Sequence, residues 1–252
     1  MTVLTMLCIP AFGQTTAGDW YEKGANSYDK GFYDSAVKYF DRVLELRPSD
    51  NDALTYKGLA LDKLGKYDEA IQSLDEAINI NPQDADALFY KATILVTQSK
   101  YDEAIEALDR AITINPQYAN AWYIKGIVLN DLSKYNEAIE AYDSAIRINP
   151  QFAGAWYSKG ISLSELSKYN ESIEAYDNTI QINQQDANAW FGKGNALYAL
   201  SKFDDAIKAY DNAIKIDPKF SGAWHNKGLA LAALGRNSES EAAFAKEKEI
   251  GL

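Results

Sequence analysis

Residues of the types that most often perform chemistry in proteins are scarce in this chain. It has one histidine, His225, and one cysteine, Cys8, among 252 residues. Metal sites built from spaced histidines and cysteines are therefore not expected, and neither is an ordinary Ser-His-Asp or Cys-His nucleophile system. Glycine-rich phosphate-binding motifs are missing from the sequence as well. We predict that the chain is not an enzyme and that it carries no cofactor and no metal.

Pairs of carboxylates are the remaining candidates for acid–base chemistry. They stand at Asp68-Glu69, Asp102-Glu103 and Asp204-Asp205. Each pair lies where a helical pattern begins, and negative side chains there interact favourably with the positive end of the helix macrodipole. We therefore interpret the pairs as helix-terminal charges and not as catalytic groups.

The elements that position every other group follow from a signature with a fixed period of 34 residues. In each copy a Trp or Leu is followed four residues later by a Gly or Ala. The seven copies are Trp20 with Gly24, Leu54 with Gly58, Leu88 with Ala92, Trp122 with Gly126, Trp156 with Gly160, Trp190 with Gly194 and Trp224 with Gly228. Such a period predicts stacked helical hairpins, each of which buries its apolar face against its neighbours.

Within each period the apolar residues predict two helices. In the second period Leu54, Gly58 and Leu61 form one stripe, and after a turn at Gly65-Lys66 a second stripe runs from Tyr67 to Ile78. This spacing indicates two amphipathic helices of about 12–14 residues. A proline that stops the second helix closes five of the periods, at Pro48, Pro82, Pro116, Pro150 and Pro218, and Gln184 takes its place in another. We expect the signature Gly or Ala to face a small residue of the second helix, such as Ala36 or Ala70.

The recurring W-x2-L/K-G-x2-L…Y…A-x3-Y…P arrangement resembles the tetratricopeptide repeat family. The resemblance covers residues 17–252, although lysine replaces the usual leucine before each signature Gly or Ala. It implies an all-α fold, a right-handed superhelical solenoid of antiparallel helix hairpins whose first helices line a concave face. We predict one domain over 17–252 with repeats at 17–50, 51–84, 85–118, 119–152, 153–186, 187–220 and 221–252.

Aspartates recur with the same period on the second helix. There are six of them, which matches the six junctions between repeats. We hypothesise that each forms an ion pair with the signature lysine of the next repeat; the alternative is a solvated charge at each place. The pairs would be Asp41–Lys57, Asp75–Lys91, Asp109–Lys125, Asp143–Lys159, Asp177–Lys193 and Asp211–Lys227.

Residues 1–16 precede the repeats. The stretch from Val3 to Ile9 is apolar and uncharged, and Ala11 and Gly13 are spaced as in a signal-peptide cleavage site. A positively charged start is missing, so the segment resembles the end of a longer signal; we favour an exported protein over a cytoplasmic one. The alternatives are a frayed tail or a cover for the first hairpin. The apolar run is too short to span a bilayer, so we expect no direct membrane insertion.

The charge of the chain limits the partners it can have. Its formal net charge is −11. Binding of nucleic acid or of an anionic membrane requires clusters of Lys and Arg, so neither is expected. Neutral or basic partners are favoured electrostatically; the alternative is that the acidity keeps a large surface soluble.

A stripe of aromatic residues bordered by amides is the candidate for a binding groove. It follows a different face of the first helices from the signature stripe, and the alternative is lateral packing between adjacent first helices. The predicted groove residues are Tyr21, Phe89, Tyr123, Ile127, Asn130, Tyr157, Ile161, Asn188, Phe191, Asn195 and Tyr198. Aromatic anchors with amide hydrogen-bonding groups suit an extended peptide or a partner helix.

Some members of the family hold a C-terminal carboxylate in a clamp of Lys, Asn and Arg side chains. The matching positions in this chain are Tyr21, Ala25, Tyr56, Asp86 and Tyr90, so the resemblance does not imply that role here. We predict a non-catalytic protein–protein interaction scaffold that binds a peptide or partner segment in its concave aromatic groove. The alternatives are a recruiting or targeting subunit of a separate modifying enzyme complex, and a self-associating structural protein.

Overall fold

The computed structural model describes residues 15–250, and the regular structure in this range is entirely α-helical. Fourteen helices are present between residues 15 and 250, and they are grouped into two compact units that divide between Ile114 and Asn115. The predicted signal segment lies outside the described residues, so export of the chain stays a prediction.

The first unit contains three helix hairpins. Its helices are α1 (Ala17–Asp29), α2 (Tyr33–Leu46), α3 (Asn51–Lys63), α4 (Tyr67–Ile80), α5 (Ala85–Thr97) and α6 (Tyr101–Ile114). Each odd-numbered helix packs on the helix that follows it, and α2 and α4 also pack on the first helix of the next hairpin. The first helices contact one another in sequence, α1 with α3 and α3 with α5.

The second unit contains four hairpins built in the same way. Its helices are α7 (Ala119–Asp131), α8 (Tyr135–Ile148), α9 (Ala153–Glu165), α10 (Tyr169–Ile182), α11 (Ala187–Ala199), α12 (Phe203–Ile216), α13 (Ser221–Ala233) and α14 (Asn237–Ile250). The first helices α7, α9, α11 and α13 again form a row in which neighbours touch. The seven hairpins match the seven predicted repeats, and the all-α fold of antiparallel hairpins is confirmed.

The turn inside each hairpin requires one residue with a left-handed backbone. Glycine takes this place at Gly31, Gly65 and Gly235, with φ between 72° and 77°. Serine takes it in the other four hairpins, where φ is 57° to 59° at Ser99, Ser133, Ser167 and Ser201. Because a side chain disfavours this conformation, these serines carry backbone strain that the glycines do not.

The signature glycine makes room for a large side chain of the second helix. A Cβ atom built on Gly126 would lie 2.5 Å from the ring of Tyr142, and one on Gly58 would lie 2.8 Å from Leu74. Small residues of the second helix, such as Ala70, are fully buried as expected. The main partner of the signature glycine is nevertheless a large residue of the second helix, four positions after the small one, as Leu74 is after Ala70. Its side chain fills the space beside the glycine.

Candidate binding surface on the first helices

The predicted groove residues occupy four places on the first helix of a repeat. These are two residues before the signature Trp or Leu and one, five and eight residues after it; we call the surface they form in each unit the first-helix face. Nine of the eleven predicted residues are half-buried, and Asn188 and Asn195 are exposed. The other groups of the chain therefore leave part of every predicted side chain open to solvent.

The second unit brings nine of the predicted residues onto neighbouring helices. They lie on α7, α9 and α11, and these helices touch in that order. They are Tyr123, Ile127, Asn130, Tyr157, Ile161, Asn188, Phe191, Asn195 and Tyr198. In the first unit Tyr21 and Phe89 lie on α1 and α5, with α3 between them, so these two are not brought together directly.

Each ring of the first-helix face packs on the second helix of its own repeat. The ring centroids of Tyr123 and Tyr142 are 6.0 Å apart, and those of Tyr157 and Tyr176 are 5.8 Å apart. Phe191 lies 6.0 Å from the Tyr210 ring. One side of each face ring is thus fixed by the core.

A second aromatic contact distinguishes two of these rings from the third. Phe152 and Phe220, the N-cap residues of α9 and α13, lie 4.7 Å from Tyr123 and 4.8 Å from Phe191. Neither N-cap makes a side-chain hydrogen bond with its helix. The N-cap of α11 is Asp186, which accepts a hydrogen bond from the Ala189 N–H at 3.0 Å. Tyr157 therefore lacks the second ring contact that Tyr123 and Phe191 have.

The buried tyrosines of the second helices reach polar groups of the first helices. Burial, followed by the neighbouring Tyr157, raises the pKa of the Tyr176 hydroxyl to about 12, although hydrogen bonds with Ser164 and Ser172 oppose the shift. The Tyr210 hydroxyl donates to Asn195 Oδ1 at 3.0 Å, and burial is the main reason why its pKa is raised. These hydroxyls are protonated at neutral pH and fix the polar groups around them.

Two amides of the face, Asn130 and Asn195, accept hydrogen bonds through their oxygens and keep their N–H donors available. Asn195 Oδ1 also accepts from Asn226 Nδ2 at 2.7 Å, and Asn130 Oδ1 accepts from the Ser162 hydroxyl at 2.7 Å. Within residues 15–250, the side-chain NH2 groups of Asn130, Asn188 and Asn195 donate no hydrogen bond. They can donate to the carbonyl oxygens of a bound segment.

The polar residues that connect adjacent helices were not predicted from the sequence. Ser162 and Asn226 lie six and two residues after their signature Trp, outside the predicted stripe, and Ser158 hydrogen-bonds Tyr142 from the same place as Asn226. Their polarity inside helices is the one signal that sequence offers. The members of the stripe pack laterally and still keep open surface, and their role as a binding groove stays a prediction.

The signature tryptophan does not belong to the first-helix face; it contacts the end of the preceding repeat. Its indole N–H donates to the carbonyl of the residue that closes the preceding repeat, at 3.1 Å for Trp156 with Pro150. Trp190 makes the same bond with Gln184 at 3.4 Å, so the missing proline does not disrupt it. The signature lysine lies over the ring, 5.4 Å from the centroid for Lys159 over Trp156. The tryptophans are half-buried caps of the repeat junction and not central core residues.

Five of the six predicted ion pairs are confirmed. The distances between lysine Nζ and aspartate Oδ1 are 2.7 Å for Asp41–Lys57, 2.6 Å for Asp75–Lys91, 2.6 Å for Asp143–Lys159, 2.5 Å for Asp177–Lys193 and 2.6 Å for Asp211–Lys227. The pair of Asp109 with Lys125 would link the two units and stays a prediction. Since the aspartates are well exposed, we expect only about 0–1 kcal/mol from each pair.

The first-helix face of the second unit offers few charged or metal-binding side chains. Its four places per helix hold no Asp, Glu, Lys or Arg on α7, α9, α11 or α13. In residues 15–250 as a whole, no group of three or more His, Cys, Asp or Glu side chains is arranged to hold a metal ion. No helix in the same range is both long enough and apolar enough to span a membrane. The chemistry offered by this face is aromatic packing and amide hydrogen bonding.

Comparison with known families identifies the repeats. Models described as tetratricopeptide repeat match residues 89–153, 187–220 and 209–242, and one described as TPR repeat matches 162–201. Together they cover more than half of the chain, which belongs to the tetratricopeptide repeat family. A model described as Anaphase-promoting complex, cyclosome, subunit 3 matches residues 29–111, about a third of the chain. None of these models describes a catalytic domain.

Several solved structures are similar in fold. MamA is 26% identical with a TM-score of 0.61, over 68% of this chain and 93% of that one. YrrB, described as a TPR protein with an unusual peptide-binding site, is 20% identical with a TM-score of 0.66 over 75% and 97%. A tetratricopeptide repeat protein from Parabacteroides merdae is 19% identical with a TM-score of 0.69 over 95% and 94%. No curated protein matches the chain.

Proposed function

We propose that the chain is a non-catalytic interaction scaffold that binds a peptide or an extended partner segment on the first-helix face of its second unit. One observation carries the proposal: half-exposed rings alternate there with amide NH2 groups that have no partner within residues 15–250. Rings held from behind by the core are rigid anchors, which lowers the entropy lost on binding. Amide donors suit the carbonyl oxygens of a peptide backbone.

The properties of the face indicate a neutral, partly apolar segment as the ligand. Tyr157 is the natural anchor point, because it lacks the second ring that covers Tyr123 and Phe191. Asn188, which is exposed, lies on the next helix α11 and provides a donor. A peptide-binding site described for YrrB, which has a similar fold, is compatible with this use of the repeat but does not carry the proposal.

A selection from a library of random peptides tests the proposal without knowledge of the natural partner. Peptides selected on the full chain are measured for affinity against Tyr157→Ala and Asn188→Ala. We expect Tyr157→Ala to weaken binding about tenfold or more, since anchor rings dominate interface energies. Asn188→Ala removes one hydrogen bond to the ligand and should weaken binding about three- to tenfold.

Tyr169→Ala serves as the matched control, because it removes the same side chain from a second helix of the same unit. Circular dichroism of each variant verifies that the helices persist. Selected peptides that bind Tyr157→Ala and Tyr169→Ala equally well would contradict the proposal, and so would a selection that yields no binding peptide.

The alternative of a recruiting subunit for a separate modifying enzyme differs in the identity of the partner and not in the binding surface. Affinity purification of the full chain from native extract, followed by mass spectrometry, distinguishes the two. Recovery of one modifying enzyme whose capture is lost in Tyr157→Ala would favour the recruiting role.

A further inference from the structure

The first unit contains a small acidic cavity that the proposed function does not use. It has a volume of about 170 Å³ and lies between α3 and α5. Its walls are formed by Asp52, Thr55, Tyr56, Leu59, Asp84, Asp86 and Tyr90. Three carboxylates and two phenol rings thus surround one space, and no lysine or arginine lines it.

We propose that this cavity binds a guanidinium group, such as an arginine side chain of a protein or peptide partner. This cavity lies in the first unit and is acidic, whereas the first-helix face proposed to bind a peptide lies in the second unit and is uncharged. The proposal for the cavity does not rest on that face, and either proposal can fail without the other.

A buried hydroxyl without a partner points to a ligand. Thr55 is only 8% exposed, and its Oγ1 atom has no hydrogen-bond partner. Burying a hydroxyl without a hydrogen bond is unfavourable, so such groups are rare unless something else satisfies them. Because Thr55 is part of the cavity wall, a donor that enters the cavity can supply the missing bond.

The carboxylates of the cavity differ in how they are used. Asp84 is fully engaged as the N-cap of α5, since Oδ1 accepts from the Ala87 N–H at 2.9 Å and Oδ2 accepts from Asn51 Nδ2 at 2.5 Å. Asp52 is exposed and forms no ion pair within residues 15–250. It is therefore the carboxylate that we expect to accept hydrogen bonds from an incoming cation.

The lysines of the same helices are paired with aspartates outside the cavity wall. Lys57 of α3 and Lys91 of α5 form ion pairs with Asp41 and Asp75 of the preceding second helices, and Lys63 of α3 pairs with its neighbour Asp62. These lysines therefore do not neutralise Asp52. Burial, with Asp86 as the next contributor, raises the pKa of Tyr90, as expected for a phenol that lies close to carboxylates.

The residue types of the wall favour guanidinium over a metal ion or an ammonium group. Within residues 15–250 no group of three or more His, Cys, Asp or Glu side chains is arranged to hold a metal ion, whereas an organic cation can use the rings of the wall as well as its carboxylates. Guanidinium is planar, carries five N–H donors, and stacks on aromatic rings while it binds carboxylates. Tyr56 and Tyr90 supply the rings, Asp52 the carboxylate, and Thr55 an acceptor at the buried end.

Nuclear magnetic resonance titration of the full chain tests the proposal with defined probes. The probe is a capped pentapeptide, Gly-Gly-Arg-Gly-Gly, added at millimolar concentrations because a single side chain binds weakly. Two companion peptides carry lysine or citrulline in place of arginine; citrulline keeps the shape of the side chain but has no charge. We expect saturable amide shifts in residues 51–59 and 84–90 with the arginine peptide, and affinities about tenfold lower for the other two.

Two variants distinguish a specific site from general attraction to an acidic protein. Asp52→Asn should weaken binding of the arginine peptide about tenfold, because it removes a charge-assisted hydrogen bond. Asp102→Asn, an exposed aspartate in the first turn of α6, changes the net charge equally and should leave binding unchanged. Thr55→Val should weaken binding about threefold or more without loss of thermal stability, since the lost hydroxyl has no partner in the protein.

The proposal is overturned by any of three results. These are equal affinity for the arginine and citrulline peptides, equal or higher affinity for the lysine peptide, and equal weakening by Asp52→Asn and Asp102→Asn. Because the affected amides lie on α3 and α5, failure here leaves the test of Tyr157 on α9 untouched.

Discussion

At the scale of single residues, the signature glycine is the position where packing outweighs helix propensity. Glycine inside a helix costs about 1 kcal/mol relative to alanine. At Gly126 the cost is offset, because the Tyr142 ring occupies the space beside it and is 1% exposed. A buried ring has little freedom to move away from an added methyl group.

Gly126→Ala should therefore destabilise the chain. We expect a loss of about 1–3 kcal/mol in the free energy of unfolding, as for other overpacked cores. Gly18→Ala is the control, since its added Cβ would meet nothing closer than 3.6 Å. Urea titrations of both variants measure the difference, and equal midpoints would show that the ring yields to the extra atom.

The buried tyrosines should make the free energy of unfolding fall at alkaline pH. The pKa of Tyr176 is raised from 10.0 to about 12 by burial, so the folded state holds its proton more tightly than the unfolded state. This contribution is complete below pH 10 and is lost as the pH rises towards the folded-state value. The loss should approach about 1.4 kcal/mol per pH unit for this residue.

Unfolding free energies measured from just below the usual tyrosine pKa of 10.0 to just below the folded-state value of about 12 test this. We expect stability to fall with pH in the native chain and to fall less steeply in Tyr176→Phe. Because lysines also lose their charge in this range, the comparison between the two proteins carries the result. Identical slopes would show that Tyr176 ionises as easily in the folded chain as in the unfolded one.

At the scale of helices and turns, the hairpin turn shows how one backbone requirement is met by two residue types. Gly65 adopts φ of 72° without a side chain, whereas Ser167 adopts 58° with one. A left-handed backbone costs an ordinary residue roughly 1–2 kcal/mol. The Ser167 hydroxyl recovers little of this cost, since its bond from the Tyr169 hydroxyl is long at 3.4 Å.

Ser167→Gly should raise the free energy of unfolding by about 0.5–1 kcal/mol, after the greater flexibility of glycine in the unfolded chain is counted. The reverse change, Gly65→Ser, should lower it by a similar amount. Thermal melts of the two variants beside the native chain are sufficient. Opposite shifts are the expected outcome; a destabilised Ser167→Gly would mean that the serine side chain matters more to the turn than its backbone strain.

The order and approximate length of the helices could be predicted from sequence because the period is strict. Leu54, Gly58 and Leu61 predict α3 through spacing alone, and the turn at Gly65 separates it from α4. The N-cap residues could not be assigned in this way. Phe152 and Asp186 stand at the same place in consecutive repeats, yet one packs on a face ring and the other caps its helix by a hydrogen bond.

At the scale of the whole molecule, the charged side chains that give the net charge of −11 are unevenly distributed. The first unit concentrates carboxylates around the cavity of Asp52, whereas the first-helix face of the second unit carries no charged side chain. A total charge cannot reveal such a division, and neither can the period. The uneven distribution of charge is visible only when each side chain is assigned to a surface. The acidic cavity suits a cationic ligand, and the uncharged face suits a neutral one.

The aromatic stripe illustrates what sequence could and could not establish about the site. The spacing of Tyr123, Tyr157 and Phe191 predicted one face of successive helices, and they do lie on neighbouring helices. Whether they are core or surface depends on residues from other repeats, such as Phe152 and Gly154 beside Tyr123, which no pattern within one repeat contains.

The most direct test of the central claim is to locate a bound peptide on the full chain. Amide chemical shifts are recorded with and without a peptide selected on the native protein. We expect the largest changes on α7, α9 and α11, near Tyr123, Tyr157, Asn188 and Asn195. Largest changes on the second helices α8, α10 and α12, with the first helices unaffected, would contradict it.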